Sequence, residues 1–319
     1  MSTNVLVEDL SVLPIAVQGL LEQRELARKA KNFTESDRLR DEIKTLGYLV
    51  NDLPRGKAGK PYGTKVLKIG DEDLKTAKSF LLLFGSGEIA PSSVDIYRQA
   101  FLALNKRHLK ISLITTPAGF QSNVEHVYGE IKDFLLASLP DFNLTVNVIF
   151  ANNSVDARNP EIVSQLDDSD VIFMGPGSPT YAVRHLNDTL LLSKIVELVK
   201  NGSTLILASA ATISCSRYAM PVYEIFKVGE KVQWMDGLNV FKDIWQEKTI
   251  IPHFNNREGG ADLDTSYCYI GKGRGEKLLS LLPHTTPVVA IDEHTCLIVD
   301  LDTKEESVRG KGGTYSLNK

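Results

Sequence analysis

Apolar positions in the first part of the chain recur at helical spacing, whereas further on they cluster into short continuous runs. Residues 14–30 fit an amphipathic helix, and Thr34 with Asp37 three residues later forms a capping-box-like start to a second helix that ends at Leu46, with Gly47 as its stop. Phe33, Leu39, Ile43 and Leu46 fall close to helical spacing, so this hairpin is expected to bury one apolar face. After Asn51 the pattern breaks, and Pro, Gly and Lys replace the periodic apolar positions, which predicts a linker over 51–77 between a hairpin at 1–50 and a larger domain at 78–319. In that domain the runs Phe80–Phe84, Ile111–Thr115, Leu144–Phe150, Val171–Met174 and Thr204–Ala208 alternate with helical patterns at 91–106, 121–138, 160–168 and 180–200. Buried strands alternating with helices predict an α/β fold, a doubly wound and mostly parallel sheet, whose ligands bind at the carboxyl ends of the strands. Later runs at 249–252, 288–291 and 295–301 read as strands, the last two joined as a hairpin around Asp292-Glu293-His294.

Composition narrows the function without naming it. The 319 residues suggest roughly two domains. A hydrophobic share of 43% against 24% charge is that of an ordinary globular chain able to bury a large core. The net charge of -4 argues against a general polyanion binder, which needs a surplus of Lys and Arg on one face. Glu8 and Asp9 stand where a signal peptide would be apolar, and no apolar run reaches membrane-spanning length, so a cytoplasmic location with no membrane contact is expected. The three cysteines, Cys215, Cys268 and Cys296, are far apart and form no metal or redox motif; reduced thiols, no metal and no cofactor are expected.

Three strand ends could line one site. Gly85-Ser86-Gly87-Glu88 follows the first run; its glycines permit positive φ and close approach to a ligand, although the missing third glycine and Pro91 make it read as a tight βα turn rather than a dinucleotide fingerprint. Gly175-Pro176-Gly177-Ser178-Pro179-Thr180 follows the fourth, and exposed N–H groups before a helix start could hold an oxyanion or carboxylate. Ser209 follows the fifth and stands where a nucleophile elbow would put its hydroxyl, with the Ala210 N–H at the helix start behind it. The usual flanking glycines are replaced by Leu207 and Ala211, so a buried capping serine is the competing reading. Pro252-His253-Phe254 puts a histidine at another strand end, where it could serve as general base, with Glu224, Glu258, Asp262 and Asp264 as candidates for the acid that holds its tautomer. Cys215 is too far into the helix after Ser209 to be the elbow nucleophile.

From about Lys78 to Leu301 the order of these motifs resembles the serine peptidases of the dipeptidase E and cyanophycinase family, in the class I glutamine amidotransferase-like superfamily. The resemblance implies that Gly175–Thr180 stands for the family's oxyanion loop, Ser209-Ala210-Ala211 for its Ser-Ala-Gly elbow, and His253 for its catalytic histidine. It further implies a small peptide or amide as substrate. The family's aspartate lies just before a Met-Pro step, where this chain reads Tyr218-Ala219-Met220-Pro221. Alanine cannot orient an imidazole, and Glu224 is expected to take the role.

Residues 21–47, continuing to 52–56, are similar to the extreme C-terminus of cysteinyl-tRNA synthetase. That likeness implies a tRNA contact through Arg24, Arg28, Lys29, Lys31, Arg38 and Arg40, while the interleaved Glu22, Glu25, Glu35, Asp37, Asp41 and Glu42 favour a solvated face of mixed charge. Neither a His-Ile-Gly-His nor a Lys-Met-Ser-Lys-Ser motif occurs, so cysteine activation is not expected. Three readings follow: a serine hydrolase using Ser209 and His253, a protein that holds a small ligand in the same pocket without turnover, and an RNA-linked accessory protein. An oligomer is compatible with each.

Overall fold

The structure, a computed structural model, describes residues 5–7, 10, 13–52, 64–68, 77–106 and 108–317, and divides into two compact units, Met1–Thr76 and Ala77–Lys319.

In the first unit, α1 (Ile15–Lys29) and α2 (Phe33–Thr45) form the expected pair, accompanied by a three-stranded antiparallel sheet of β1 (Val5–Val7), β2 (Tyr48–Asp52) and β3 (Thr64–Lys68) in the order β1-β3-β2. The segment expected as linker therefore contributes the end of one strand and the whole of another; residues 53–63 and 69–76 of it lie outside the described residues. Val66 of β3 is buried with Leu13, Val17, Ile43 and Val50, which ties the segment to the core of this unit. The cap of α2 is Asn32, whose side chain accepts from the Glu35 N–H at 3.2 Å, and not the expected Thr34. Of the face predicted for α2, Leu39 and Ile43 are buried, whereas Phe33 and Leu46 at its two ends are exposed. Gly47, at φ 86°, ends the hairpin as expected.

The second unit has the mixed α/β architecture with a mostly parallel central sheet. Along the chain follow β4 (Phe80–Phe84), α3 (Val94–Ala103), β5 (His108–Ile114), α4 (Val124–Ser138), β6 (Asn143–Ile149), α5 (Pro160–Val163), β7 (Val171–Met174), α6 (Pro179–Leu186), α7 (Leu190–Lys200), β8 (Thr204–Ala208) and α8 (Ala210–Ser214). Then come β9 (Tyr218–Ala219), a π-helical turn at Glu224–Val228, β10 (Met235–Asp236), α9 (Val240–Ile244), β11 (Thr249–Ile251), α10 (Lys272–Leu279), β12 (Val288–Ile291), β13 (Thr295–Asp300), β14 (Glu306–Gly310) and β15 (Thr314–Ser316). The seven-stranded sheet runs β14-β13-β4-β8-β7-β5-β6, parallel from β4 to β6 and antiparallel at β13 and β14. Alternate residues of each strand feed separate cores on its two faces: Leu81, Leu83, Leu205 and Leu207 enter one, Leu82, Phe84, Ile206 and Ala208 the other. This two-sided burial explains why the strands read as continuous apolar runs.

Two expectations in this unit need correction. The helix predicted over 180–200 is two helices, because Asp188 takes φ 53° and the Thr189 hydroxyl caps α7 by accepting from the Leu192 N–H. The hairpin predicted around Asp292-Glu293-His294 is absent as well. β12 pairs with β11 and β15 in a separate three-stranded sheet, whereas β13 joins β4 in the main sheet. The turn between β12 and β13 thus passes from one sheet to the other, beside the carboxyl end of β4. Among the described residues no helix is long and apolar enough to cross a membrane.

Candidate active site

Ser209 directly follows β8, a strand buried at every position in the middle of the sheet, and begins the turn into α8. Its backbone takes φ 51° and ψ -113°, a conformation that L-residues avoid and that costs roughly 1–3 kcal/mol unless the surroundings impose it. Here they do: β4 and β7 fix the strand on one side of the turn, and Ala210, Ala211, Thr212 and Ile213 are buried on the other. The two residues that replace the usual flanking glycines are absorbed by the core. Leu207 is opposite Leu83 and Met174 in the sheet, and both Leu207 and Ala211 are fully buried in one apolar cluster.

His253 follows β11 at φ 50°. Its backbone N–H donates to the Gly85 carbonyl at 3.1 Å, and its own carbonyl accepts from the Cys268 N–H at 3.2 Å, so the main chain is held from two sides. The imidazole lies between two partners, with Nε2 at 2.9 Å from Ser209 Oγ and Nδ1 at 3.0 Å from Glu293 Oε1. Glu293 is itself fixed: its N–H donates to Asn255 Oδ1 at 2.8 Å, and its Oε1 also accepts from Asn256 Nδ2 at 2.5 Å. The hydrogen bond from His253 holds the Glu293 carboxyl below the usual glutamate range, against the opposing effect of burial and with help from Asn256. An ionised carboxylate only accepts, so Nδ1 carries the hydrogen; in the neutral ring Nε2 is then the acceptor for the Ser209 hydroxyl. The ring of Tyr269, with its centroid at 5.3 Å, covers the histidine.

Glu224, the acid expected from the sequence, is elsewhere. It belongs to the π-helical turn, and its Oε2 accepts from Thr180 Oγ1 at 3.0 Å. Glu258 accepts from the Tyr269 hydroxyl, and Asp264 accepts from Ser266 and from the Lys272 N–H. Glu293 is not among the acids the sequence suggests, because its turn reads as the tip of a hairpin. The signal that could have found it is an acid directly after an apolar strand, at the same end of the domain as the other strand-end motifs.

The glycine loops support this arrangement. A Cβ on Gly85 would stand 2.0 Å from the Asp292 carbonyl oxygen, and Gly87, at φ 77°, packs against His294, so the first loop is pressed against the turn that presents Glu293. His294 N–H donates to Ser86 Oγ at 2.9 Å. Gly177, at φ 149°, passes so close to the Pro117 carbonyl that a Cβ would meet its oxygen at 1.9 Å; Gly175 is backed by the Phe173 ring. The N–H groups of Gly177 and Ala210 make no backbone hydrogen bond among the described residues. A cavity of about 460 Å³ is lined by Gly177, Ser209, His253, Tyr269 and Glu88, with Val222, Tyr223, Phe226 and Lys227 on its remaining walls. Cys215 is fully buried, and burial pushes its thiol up to about 12, which removes it as a nucleophile.

Comparison with known proteins separates the two units. A family model described as the cysteinyl-tRNA ligase anticodon binding domain matches residues 11–57. In the same region the chain is 57% identical over 44 residues to the cysteine–tRNA ligase of Caldicellulosiruptor saccharolyticus, which is 14% of this chain and 10% of that protein. It is 46% identical over 41 residues to that of Lactiplantibacillus plantarum, 13% of this chain and 9% of the other. The chain thus spans only a small part of the length of the curated relatives it matches. Among solved structures, a peptidase from an acI-B1 Actinobacterium superposes with a TM-score of 0.60 at 23% identity, covering 76% of this chain and 91% of that one, a likeness of fold. A second family model, peptidase family S51, matches residues 81–306 and so takes in β4 from Leu81 on, Ser209, His253 and Glu293. The chain belongs to peptidase family S51.

Proposed function

We propose that the protein is a serine hydrolase of peptidase or amidase type, in which Ser209, His253 and Glu293 act together on a small peptide or amide. The observation that carries this reading is the unbroken hydrogen-bond line from Ser209 Oγ through His253 to Glu293. Ser209 Oγ attacks the carbonyl carbon and passes its proton to His253 Nε2; Glu293 holds the Nδ1–H and stabilises the imidazolium that forms. The N–H groups of Gly177 and Ala210 take the developing oxyanion, a kind of interaction worth on the order of 10²–10³ in rate per donor. The imidazolium then protonates the leaving amine, and a water deprotonated by His253 releases the acyl group from Ser209. A fluorophosphonate probe should label the wild type and spare Ser209→Ala and His253→Gln. A wild type that stays unlabelled would leave the ligand-holding reading in its place.

The likeness of residues 11–57 to an anticodon binding domain supports a second reading, a tRNA contact by the first unit. Five of the six cations named for it are already engaged: Arg24 and Arg28 with Asp52, Lys29 with Glu25, Arg38 with Glu35 and Glu42, Arg40 with Asp37. Phosphate binding would have to break these pairs. Titration with tRNA over a range of salt concentrations tests the contact, which requires an affinity that falls steeply with salt and disappears on removal of residues 1–76.

A further inference from the structure

Beside the larger cavity is a smaller one of about 40 Å³ that opens from the same serine. Ser209, Gly177, Tyr223 and Tyr269 line both, so the two meet at the nucleophile. The walls of the smaller one are Pro179 at the start of α6, Ile213 in α8 and Cys268, with Val222 shared between the two, and all four are buried. Ile213, Val222 and Cys268 belong to one packed apolar cluster with Val183, Met220 and Ile251, so the walls are backed by core and resist widening. Among the described residues no Asp, Glu, Lys, Arg or His lines this cavity. Burial pushes the Cys268 thiol up, which keeps that wall uncharged as well.

We infer that this cavity holds the side chain on the acyl side of the scissile bond, and that it selects a short branched alkyl group the size of the valine side chain. The inference rests on the hydrolase reading, which puts the carbonyl carbon at Ser209 Oγ and its oxygen at the N–H groups of Gly177 and Ala210. Gly177, Ser209 and Ala210 all line the smaller cavity, whereas His253, which protonates the leaving amine, lines only the larger one. The leaving group therefore departs through the larger cavity, and the acyl substituent has the smaller one beside it. A water-sized group fills roughly 10–15 Å³ of such space, so a cavity of about 40 Å³ takes about three of them. Three carbons of an isopropyl group match that space; a phenyl ring exceeds it, and a lone hydrogen leaves it empty. A carboxylate placed there would lose its water and gain no counter-ion.

Three p-nitrophenyl esters test this, because they vary the acyl side chain alone. The acetate carries a hydrogen in that place, the 3-methylbutanoate an isopropyl group and the 3-phenylpropanoate a benzyl group. The readout is kcat/KM with Ser209→Ala as the blank, divided by the rate of the same ester with hydroxide so that intrinsic reactivity cancels. The 3-methylbutanoate should exceed each of the other two on the order of tenfold or more. Ile213→Ala opens the floor, and in it the 3-phenylpropanoate should gain about tenfold on the 3-methylbutanoate. Should that variant melt early, Val222→Ala opens a second wall and should move the ratio in the same direction. A flat series, a preference for either of the other esters, or a ratio that neither variant moves would overturn the inference. Labelling at Ser209 by the fluorophosphonate with a flat or absent ester preference overturns the inference alone. An unlabelled wild type with no Ser209-dependent turnover of any ester removes the hydrolase reading and the inference with it, so the two failures are distinguishable.

Discussion

Replacing Glu293 in two ways separates what its charge does from what its position does. In Glu293→Ala, His253 Nδ1 loses its acceptor at 3.0 Å, and the ring, buried and covered by Tyr269, is free to hold either tautomer. By analogy with other serine hydrolases, loss of the orienting acid costs on the order of 10³–10⁴ in rate, or about 4–5.5 kcal/mol of barrier. Glu293→Gln should be milder, and the reason is Asn256. The amide Nδ2 of Asn256 donates to the same oxygen that faces His253, so the glutamine is held with its own oxygen in that place. The tautomer survives; what is lost is the difference between a charged and a neutral acceptor, about 1.5–3 kcal/mol, which is roughly a 10- to 150-fold slower reaction. Adding Asn256→Ala removes that hold, lets the glutamine turn its NH₂ toward Nδ1, and should lower Glu293→Gln to the level of Glu293→Ala. The assay is the second-order rate constant of fluorophosphonate labelling at Ser209, with Glu224→Gln alongside, which should stay within about threefold of wild type. A Glu293→Ala variant that also stays within that range would refute the role given to Glu293. A single glutamine variant as slow as the alanine would refute the argument from Asn256.

Three further outcomes follow from the geometry. Because Ser209 takes φ 51° and ψ -113°, Ser209→Gly should be more stable than Ser209→Ala by about 1 kcal/mol, seen as a melting temperature a few degrees higher; the reverse order would deny that the elbow is strained. Leu207→Gly, which restores the first of the two usual elbow glycines, should lower stability by about 3–5 kcal/mol in urea unfolding, since it empties a fully buried core position, and should not speed labelling. Glu293 has its carboxyl held low by His253, so its contribution to stability is complete above the ordinary glutamate range near pH 4.3 and is lost as the pH falls through the depressed folded value. Unfolding free energies measured between about pH 3 and 6 should accordingly fall less steeply in Glu293→Gln than in wild type, and parallel curves would count against the shift.

How much of this was legible depended on whether the information was local. The runs at 80–84, 171–174 and 204–208 were readable because a parallel strand buried on both faces is continuously apolar, and the two cores on the faces of the main sheet are built from just those positions. Short or solvent-facing strands leave too faint a pattern: β3 is a five-residue strand with Val66 in its core, and β14 is exposed throughout. At the turn after β8 local sterics favour glycine on both sides of the serine, and the sequence does not show that Leu207 has a socket between Leu83 and Met174. The acid shows the opposite failure. Glu224 stands three residues beyond Pro221, close in sequence to where the resemblance puts the family's acid, yet a π-helical turn carries it to Thr180. Glu293 is 84 positions from Ser209, and what brings it back is a turn whose two flanking strands leave for different sheets. Strand partners are a long-range property that alternating hydrophobicity does not encode; two apolar runs three residues apart look like a hairpin whether or not they pair. A site residue supplied by such a crossing becomes visible only with the pairing, and for this chain the register of β12 with β11 and of β13 with β4 is what turns an acidic turn into the third member of a hydrogen-bonded line.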